Sequence, residues 1–248
     1  MPSALSVHNV TAQFGAFKAV DSVSLTVADG ELRVLLGANG AGKTTLMDLI
    51  SGCIPCAQGE VQVYGQNITN WQEHRIASAG IGRKFQIPSV FMNLTVRQNI
   101  EVARCHCQSV FKNLRFRLSA SDNRRVDEIL DLTGLGGSAD QQAAHLSHGE
   151  TQWLELGMLV AQDPKVVLLD EPTAGMTHGE TSKTAEIIMR LRGDHTLVVI
   201  EHDMSFVRQI AEIITVMHLG KVIAEGSVDT VENDPEVRAA YLGSTGIS

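Results

Sequence analysis

The chain has 248 residues and a formal net charge of −8, from 20 Lys and Arg against 28 Asp and Glu. With 44% hydrophobic and 19% charged residues it has the make-up of a folded globular protein, which excludes intrinsic disorder, and the acidic total excludes a generally basic nucleic-acid binder. No apolar run approaches the ~18 residues that cross a bilayer, and the start MPSALSVHNV has neither the basic nor the apolar region of a secretion signal, so the expectation is a cytosolic protein that reaches a membrane only through partners.

Alternating apolar residues predict strands over Leu5–Val10, Val23–Val27 and Val61–Tyr64, an antiparallel β region near the N-terminus. Arg33–Leu36, Val166–Leu169 and Thr196–Glu201 are near-continuous apolar runs of the kind buried on both faces of a parallel sheet. Ile213–Met217 and Lys221–Ala224 predict two further strands joined by a turn at Leu219-Gly220. Helical spacing marks Lys43–Ser51 (stopped by Gly52), Asn123–Thr133, Glu150–Gln162, Gly179–Arg192 and Met204–Ile210. From 88 to 162 the chain reads as helical and nearly strand-free, a subdomain inserted into an α/β core. Inside it Lys112, Arg115, Arg117, Arg124 and Arg125 form a basic cluster, expected to be a solvated helix face. Cys53-x-x-Cys56 and Cys105-x-Cys107, with His106 between the second pair, suggest a zinc site, but the second pair is spaced too tightly for a usual zinc clip, and reduced thiols are expected.

The segment Gly37-Ala38-Asn39-Gly40-Ala41-Gly42-Lys43-Thr44 fits G-x-x-x-x-G-K-[ST], and it sits between a predicted strand and a predicted helix. The chemistry needs these residue types. Glycines let the backbone close around a phosphate, consecutive N–H groups and a helix N-terminus face the anion, Lys43 supplies a point charge, and the Thr44 hydroxyl suits Mg²⁺. Downstream, Val166–Leu169 runs into Asp170-Glu171. Two acids at a strand end often mark only where the strand meets solvent. Behind a phosphate loop they read instead as a metal contact (Asp170) and a base for an attacking water (Glu171), because α/β sheets place ligands at strand C-termini.

Ser147 and Glu150 in Leu146-Ser147-His148-Gly149-Glu150 have the S-x-x-E spacing of an ordinary helix start, before a helix carrying Trp153, Leu156, Leu159 and Val160. With the phosphate loop before it and Leu169-Asp170-Glu171-Pro172 after it, the pentapeptide resembles the signature of ABC-type ATPases, usually LSGGQ. Here His148 stands for a glycine and Glu150 for the glutamine. The resemblance runs from Val7 to about Gly243, and it implies one P-loop ATPase domain of the ABC type over 1–248, with the helical subdomain 88–162 carrying the signature. It implies ATP and Mg²⁺ as ligands: Phe14 to stack on adenine; Gly37, Asn39, Gly40, Ala41, Gly42, Lys43, Thr44 and Thr45 to hold the nucleotide; Thr44, Gln86 and Asp170 to hold the metal. It further implies Glu171, Gln86 and His202 in catalysis, and Ser147 and Gly149 toward the nucleotide of a partner. Ala174-Gly175-Met176-Thr177 departs from the family at a loop that usually carries an aspartate.

The expected assembly is a head-to-tail dimer with an identical or homologous ATPase subunit, seated on two transmembrane permease subunits at the cytoplasmic face of the inner membrane. A periplasmic binding protein is an indirect partner, and nucleic acid is not one. The apolar residues Phe85, Ile87, Pro88, Val90 and Phe91 around Gln86 read either as buried core or as a groove for a helix of each permease. The tail 233–243 resembles the ending of ATPase subunits of branched-chain amino-acid importers, while Ile81–Phe91, Leu146–Glu155, Ala174–Thr177 and Glu201–Met204 resemble the ATPase subunit of urea importers, a relative of that group, more closely. A soluble ABC ATPase serving as an interaction module is the reading from another class. No N-K-x-D base-reading motif of a GTPase occurs, the insertion is too short for a DNA-repair coiled coil, and a translation-associated relative would carry two such cores.

Overall fold

The computed structural model describes residues 2–84, 90–105 and 119–242. Gln86 with Phe85, Ile87 and Pro88, the pair His106 and Cys107, the basic residues Lys112, Arg115 and Arg117, and Gly243 lie outside the described residues. The chain divides into two compact units, one of Met1–Arg83, Lys165–Pro172 and Leu191–Ser248, the other of Lys84–Pro164 and Thr173–Arg190.

Two sheets build the first unit. Strands β1 (Ser3–Phe14), β2 (Phe17–Ala28), β4 (Gln58–Val63) and β5 (Gln66–Asn67) lie in the order β2-β1-β4-β5, with β1 antiparallel to both neighbours. Strands β3 (Leu32–Leu36), β6 (Ile81–Lys84), β7 (Val166–Asp170), β8 (Thr196–Glu201), β9 (Ile213–His218) and β10 (Lys221–Gly226) lie in the order β10-β9-β3-β8-β7-β6. β3 is parallel to β8 and β9, and β7 to β8, while β9 and β10 form an antiparallel hairpin. Every residue of β3, β7 and β8 is buried, as two covered faces require. Helix α1 (Lys43–Ser51) contributes Leu46, Met47, Leu49 and Ile50 to a core shared with Leu5, Val7, Val61, Val166 and Ile200. It stops where predicted, at a left-handed Gly52 whose N–H donates to the Asp48 and Leu49 carbonyls. The short elements β5, β6, α2 (Glu73–Ser78), α8 (Val228–Glu232) and α9 (Pro235–Leu242) went unpredicted, because elements this short show a period only where apolar residues happen to recur at the right spacing. α7 (Met204–Ile210) has the predicted bounds.

One buried cation interrupts the apolar run of β3. Arg33, 2% exposed, pairs with Glu31 at 2.6 Å and Glu225 at 2.5 Å, and donates to Thr215 Oγ1 (2.8 Å) and the Thr26 carbonyl (2.9 Å). It thereby ties β3 to β2, β9 and β10.

The second unit is a helix cluster of α3 (Val96–Arg104), α4 (Ala120–Thr133), α5 (His148–Ala161) and most of α6 (His178–Leu191). Ile100, Val126, Ile129, Leu130, Leu154, Leu156 and Val160 are buried in it. Gly157 sits mid-helix on α5, where glycine is normally costly. A Cβ there would stand 3.1 Å from Ile129 Cγ2 and 3.2 Å from Thr133 Cγ2, so its absence allows α4 and α5 to close. The fully buried Asn99 accepts from the Phe91 N–H and donates to the Phe91 and Thr95 carbonyls, fastening the turn before α3. Arg125 of the basic cluster pairs with Glu128 on the α4 surface.

This compact unit covers Lys84–Pro164 and takes in Thr173–Arg190 as well. In the structure Trp153 Nε1 donates to Thr184 Oγ1 at 3.0 Å, the Lys183 amine lies 3.7 Å over the Trp153 ring, and Arg190 donates to the Asp131 carbonyl at 3.4 Å. These contacts draw α6 into the helix cluster.

Replacing Arg33 by Met leaves the Glu31 carboxylate buried without its cation. Arg33→Met is expected to destabilise the protein by about 3 kcal/mol, the lower end for breaking an interior ion pair because Glu225 is solvated. Urea denaturation checks it, and adding Glu31→Gln should recover part of the loss.

Candidate nucleotide site

β3, β7 and β8 end level with one another: Leu36 pairs with Glu201, and Asp170 with Ile200. The segments beginning at Gly37, Glu171 and His202 therefore leave the sheet along one edge. The first is the phosphate-loop motif. Its backbone is left-handed at Gly40 (φ 80°) and Gly42 (φ 99°). At Gly42 a Cβ would also run into the Ala19 carbonyl oxygen of β2, so both sterics and conformation demand glycine. The Ala41 carbonyl accepts from the Gly220 N–H in the β9–β10 turn (3.0 Å), which fixes the far side of the loop. Gly37 and Ala41 are buried, Asn39, Gly40 and Thr44 are exposed, and Thr45 is half-buried.

Lys43, the first residue of α1, is 5% exposed. Its Nζ donates to the Gly37 carbonyl at 2.7 Å and the Ala38 carbonyl at 3.1 Å. Burial pushes its pKa down, against the opposing pull of Glu171, Asp170 and Glu201. Asp170 shows the reverse: burial raises its carboxyl above the usual range, while Arg83 and a hydrogen bond with Thr44 pull it down and Glu171 and Asp48 push it further up. The Asp170 Oδ2 atom is buried and accepts no hydrogen bond. A hydroxyl and a carboxylate with a spare buried oxygen form a hard-oxygen donor set, so Thr44 and Asp170 fit Mg²⁺.

Glu171 follows with left-handed backbone (φ 45°), rare for a residue with a side chain, and its N–H donates to the Ile200 carbonyl at 3.1 Å. The Glu171 Oε1 lies 3.3 Å from His202 Nδ1. Arg83 of β6 closes the buried side. Its Nη1 is 2.6 Å from Asp48 Oδ1 and donates to Ser51 Oγ at 2.7 Å, and its Nη2 is 3.8 Å from Asp170 Oδ2. Phe14 is 54% exposed at the β1–β2 hairpin end, opposite Phe17.

The structure brings Lys43, Thr44, Asp170, Glu171 and His202 together, while Gln86 lies outside the described residues. Two neighbours escaped the sequence reading. Glu201 bears the same mark as Asp170, an acid closing an apolar strand, and that signal was available. Arg83 carries no such mark, since one arginine in a four-residue strand resembles any surface charge.

Ser147 and Gly149 belong to the second unit. Ser147 caps α5: its Oγ accepts from the Glu150 N–H (3.2 Å) and its N–H donates to Glu150 Oε2 (2.8 Å), the reciprocal cap that the spacing predicts. His148 donates from Nε2 to the Ala174 carbonyl at 3.2 Å, so the residue that breaks the signature pattern reaches the loop that also departs from it. Thr177, in the place of the usual aspartate, caps α6. Glu180 accepts from its N–H and its hydroxyl, each at 2.8 Å.

A family model described as ABC transporter matches residues 20–174, and one described as branched-chain amino acid ATP-binding cassette transporter matches residues 221–246. The chain is 34% identical over 249 residues to the high-affinity branched-chain amino acid transport ATP-binding protein LivG of Escherichia coli K12, covering 96% of this chain and 97% of that one. It is 32% identical over 248 residues to BraF of Pseudomonas aeruginosa, which carries the same description, with the same coverage. Among solved structures, the ADP conformation of an ATP-binding cassette of an ABC transporter superposes with a TM-score of 0.86 at 30% identity, over 98% of this chain and 100% of that one. A dimeric post-hydrolysis cassette bound to ADP and phosphate gives 0.74 at 25% identity, over 90% and 98%.

The Thr177–Glu180 cap carries a pH signature. The Thr177 N–H and hydroxyl hold the Glu180 carboxyl below its usual range, so its stabilising effect is present above the ordinary glutamate pKa and is lost as pH falls through the lowered value. Melting temperature measured from neutral into acid should fall less over that window in Glu180→Gln than in wild type. Parallel curves for the two proteins would remove the cap from the account.

Proposed function

Because the chain belongs to the ABC transporter family, we propose that it is the ATP-hydrolysing subunit of an importer for branched-chain amino acids. Hydrolysis is the family's activity, and the observation that carries its assignment to these residues is the level ending of β3, β7 and β8, which gathers a buried lysine, two acids and a histidine on one sheet edge. The loop 37–45 wraps the phosphates of ATP with backbone N–H groups, and Lys43 turns its ammonium from the Gly37 and Ala38 carbonyls to the phosphate oxygens. Phe14, already exposed, stacks on adenine. Thr44 and Asp170, with Gln86, hold Mg²⁺, which when bound neutralises charge on the phosphates. Glu171 takes the proton of the attacking water, and His202, 3.3 Å from it, orients that carboxylate and the terminal phosphate.

Ser147 and Gly149 meet the nucleotide of a second ATPase subunit, identical or homologous, in a head-to-tail dimer. The exposed hydroxyl at the start of α5 and the dimeric ADP-bound cassette among the similar structures support this arrangement. No helix among the described residues is long and apolar enough to cross a membrane, so the pore lies in separate permease subunits. Phe91 and Met92 are exposed, and that supports the docking rather than the core reading of the apolar stretch near Gln86.

The cargo rests on the family matches. The relatives named above transport branched-chain amino acids, and the residues 221–246 match a model of that same type. Urea, which the motif resemblance put first, has no such support and takes second place.

Glu171→Gln should bind ATP as wild type does, turn over slower by ~10² or more, and sediment as a dimer in ATP but not in ADP. A wild-type rate would remove Glu171 as the base, and an ATP-independent monomer even with a sister subunit present would remove the dimer. For cargo, cells lacking this chain should lose uptake of labelled leucine and keep uptake of labelled urea, with rescue by wild type and not by Lys43→Ala. Loss of urea uptake alone would reverse the assignment.

A further inference from the structure

Arg83 has no part in the mechanism above, yet its guanidinium lies between Asp48 of α1 and Asp170 of β7. Its side chain is 7% exposed. One end of the guanidinium is anchored on α1, 2.6 Å from Asp48 Oδ1 and 2.7 Å from Ser51 Oγ. The other nitrogen, Nη2, faces the buried Oδ2 of Asp170 at 3.8 Å, too long for a strong hydrogen bond and close enough for an unscreened attraction. Asp170 Oδ2 accepts no hydrogen bond, and the Arg83 guanidinium faces it. α1 also carries Thr44, the other oxygen donor of the site. A single buried fork therefore relates the helix that holds one metal donor to the strand that holds the other.

The geometry points to Arg83 as a positioning residue that fixes the Asp170 carboxylate relative to Thr44 and so sets the affinity of the site for its divalent cation. The inference rests on the ATPase reading, with Thr44 and Asp170 as the donors. It adds that the outer partner of the carboxylate is supplied from β6. The arrangement is that of an outer-shell group orienting a metal ligand, for which loss of the partner commonly weakens the metal by about 10–100-fold. Lysine could restore the charge but not the fork, since only the planar guanidinium reaches Asp48, Ser51 and Asp170 together.

The test is Mn²⁺ titration by electron paramagnetic resonance of the protein loaded with a non-hydrolysable ATP analogue, with analogue binding in EDTA measured beside it. Arg83→Met should weaken Mn²⁺ by about 10–100-fold while changing metal-free analogue binding far less, and Arg83→Lys should fall between Met and wild type. If Arg83→Met does not fold, the measurement passes to Asp48→Asn with Ser51→Ala. These remove the anchors and keep the guanidinium, and they should weaken Mn²⁺ in the same direction by a smaller factor. Mn²⁺ affinity within about twofold of wild type in the folded variant would overturn the inference. That result, with wild type hydrolysing ATP normally, would leave the ATPase reading intact. A wild type that does not hydrolyse ATP would instead strike the reading itself.

Discussion

Three parallel strands that end in register govern this protein. Because Leu36 lies beside Glu201 and Asp170 beside Ile200, the chain is obliged to leave β3, β7 and β8 along a common edge. A slip of one residue would turn Asp170 and Glu201 to the other face of the sheet, since side chains alternate with a period of two. The apolar side chains of these strands, buried on both faces, hold that register. The level edge is thus a product of core packing, and the chemistry inherits it.

The same burial makes the edge electrostatically tense. Lys43 is drawn out of water, which disfavours its charge, and so is Asp170. Neither stands alone: the lysine has two loop carbonyls and three acids near it, and the aspartate has Arg83 and Thr44. Opposite charges compensate one another within the site. The left-handed backbone at Glu171 adds local strain at the carboxylate that lies beside His202.

The helix cluster follows a different rule. Its order comes from close approach and capping. Gly157 lets α4 and α5 meet, while Ser147 with Glu150 and Thr177 with Glu180 satisfy the first N–H groups of α5 and α6. The two departures from the family pattern settle into this scheme. His148 donates to the Ala174 carbonyl, and Thr177 caps a helix where an aspartate would have done the same work.

Local physics was enough to determine several features from the sequence alone. A glycine loop between an apolar strand and a helix, two acids after another apolar strand, and a serine three residues before a glutamate each depend on neighbours along the chain, so the phosphate loop, Asp170-Glu171 and the α5 cap were legible. The fully apolar strands were legible for the same reason, and β3 even carries its buried Arg33 without losing its pattern. What spacing cannot encode was decided by tertiary structure. Arg83 gains meaning only because β6 passes between Asp48 and Asp170, residues 122 positions apart in sequence. α6 joins the helix cluster only because Trp153 and Thr184 find each other across 31 residues. Long-range contacts of this kind depend on which surfaces are left to be covered once the local elements have formed, and that information resides in the packed chain as a whole.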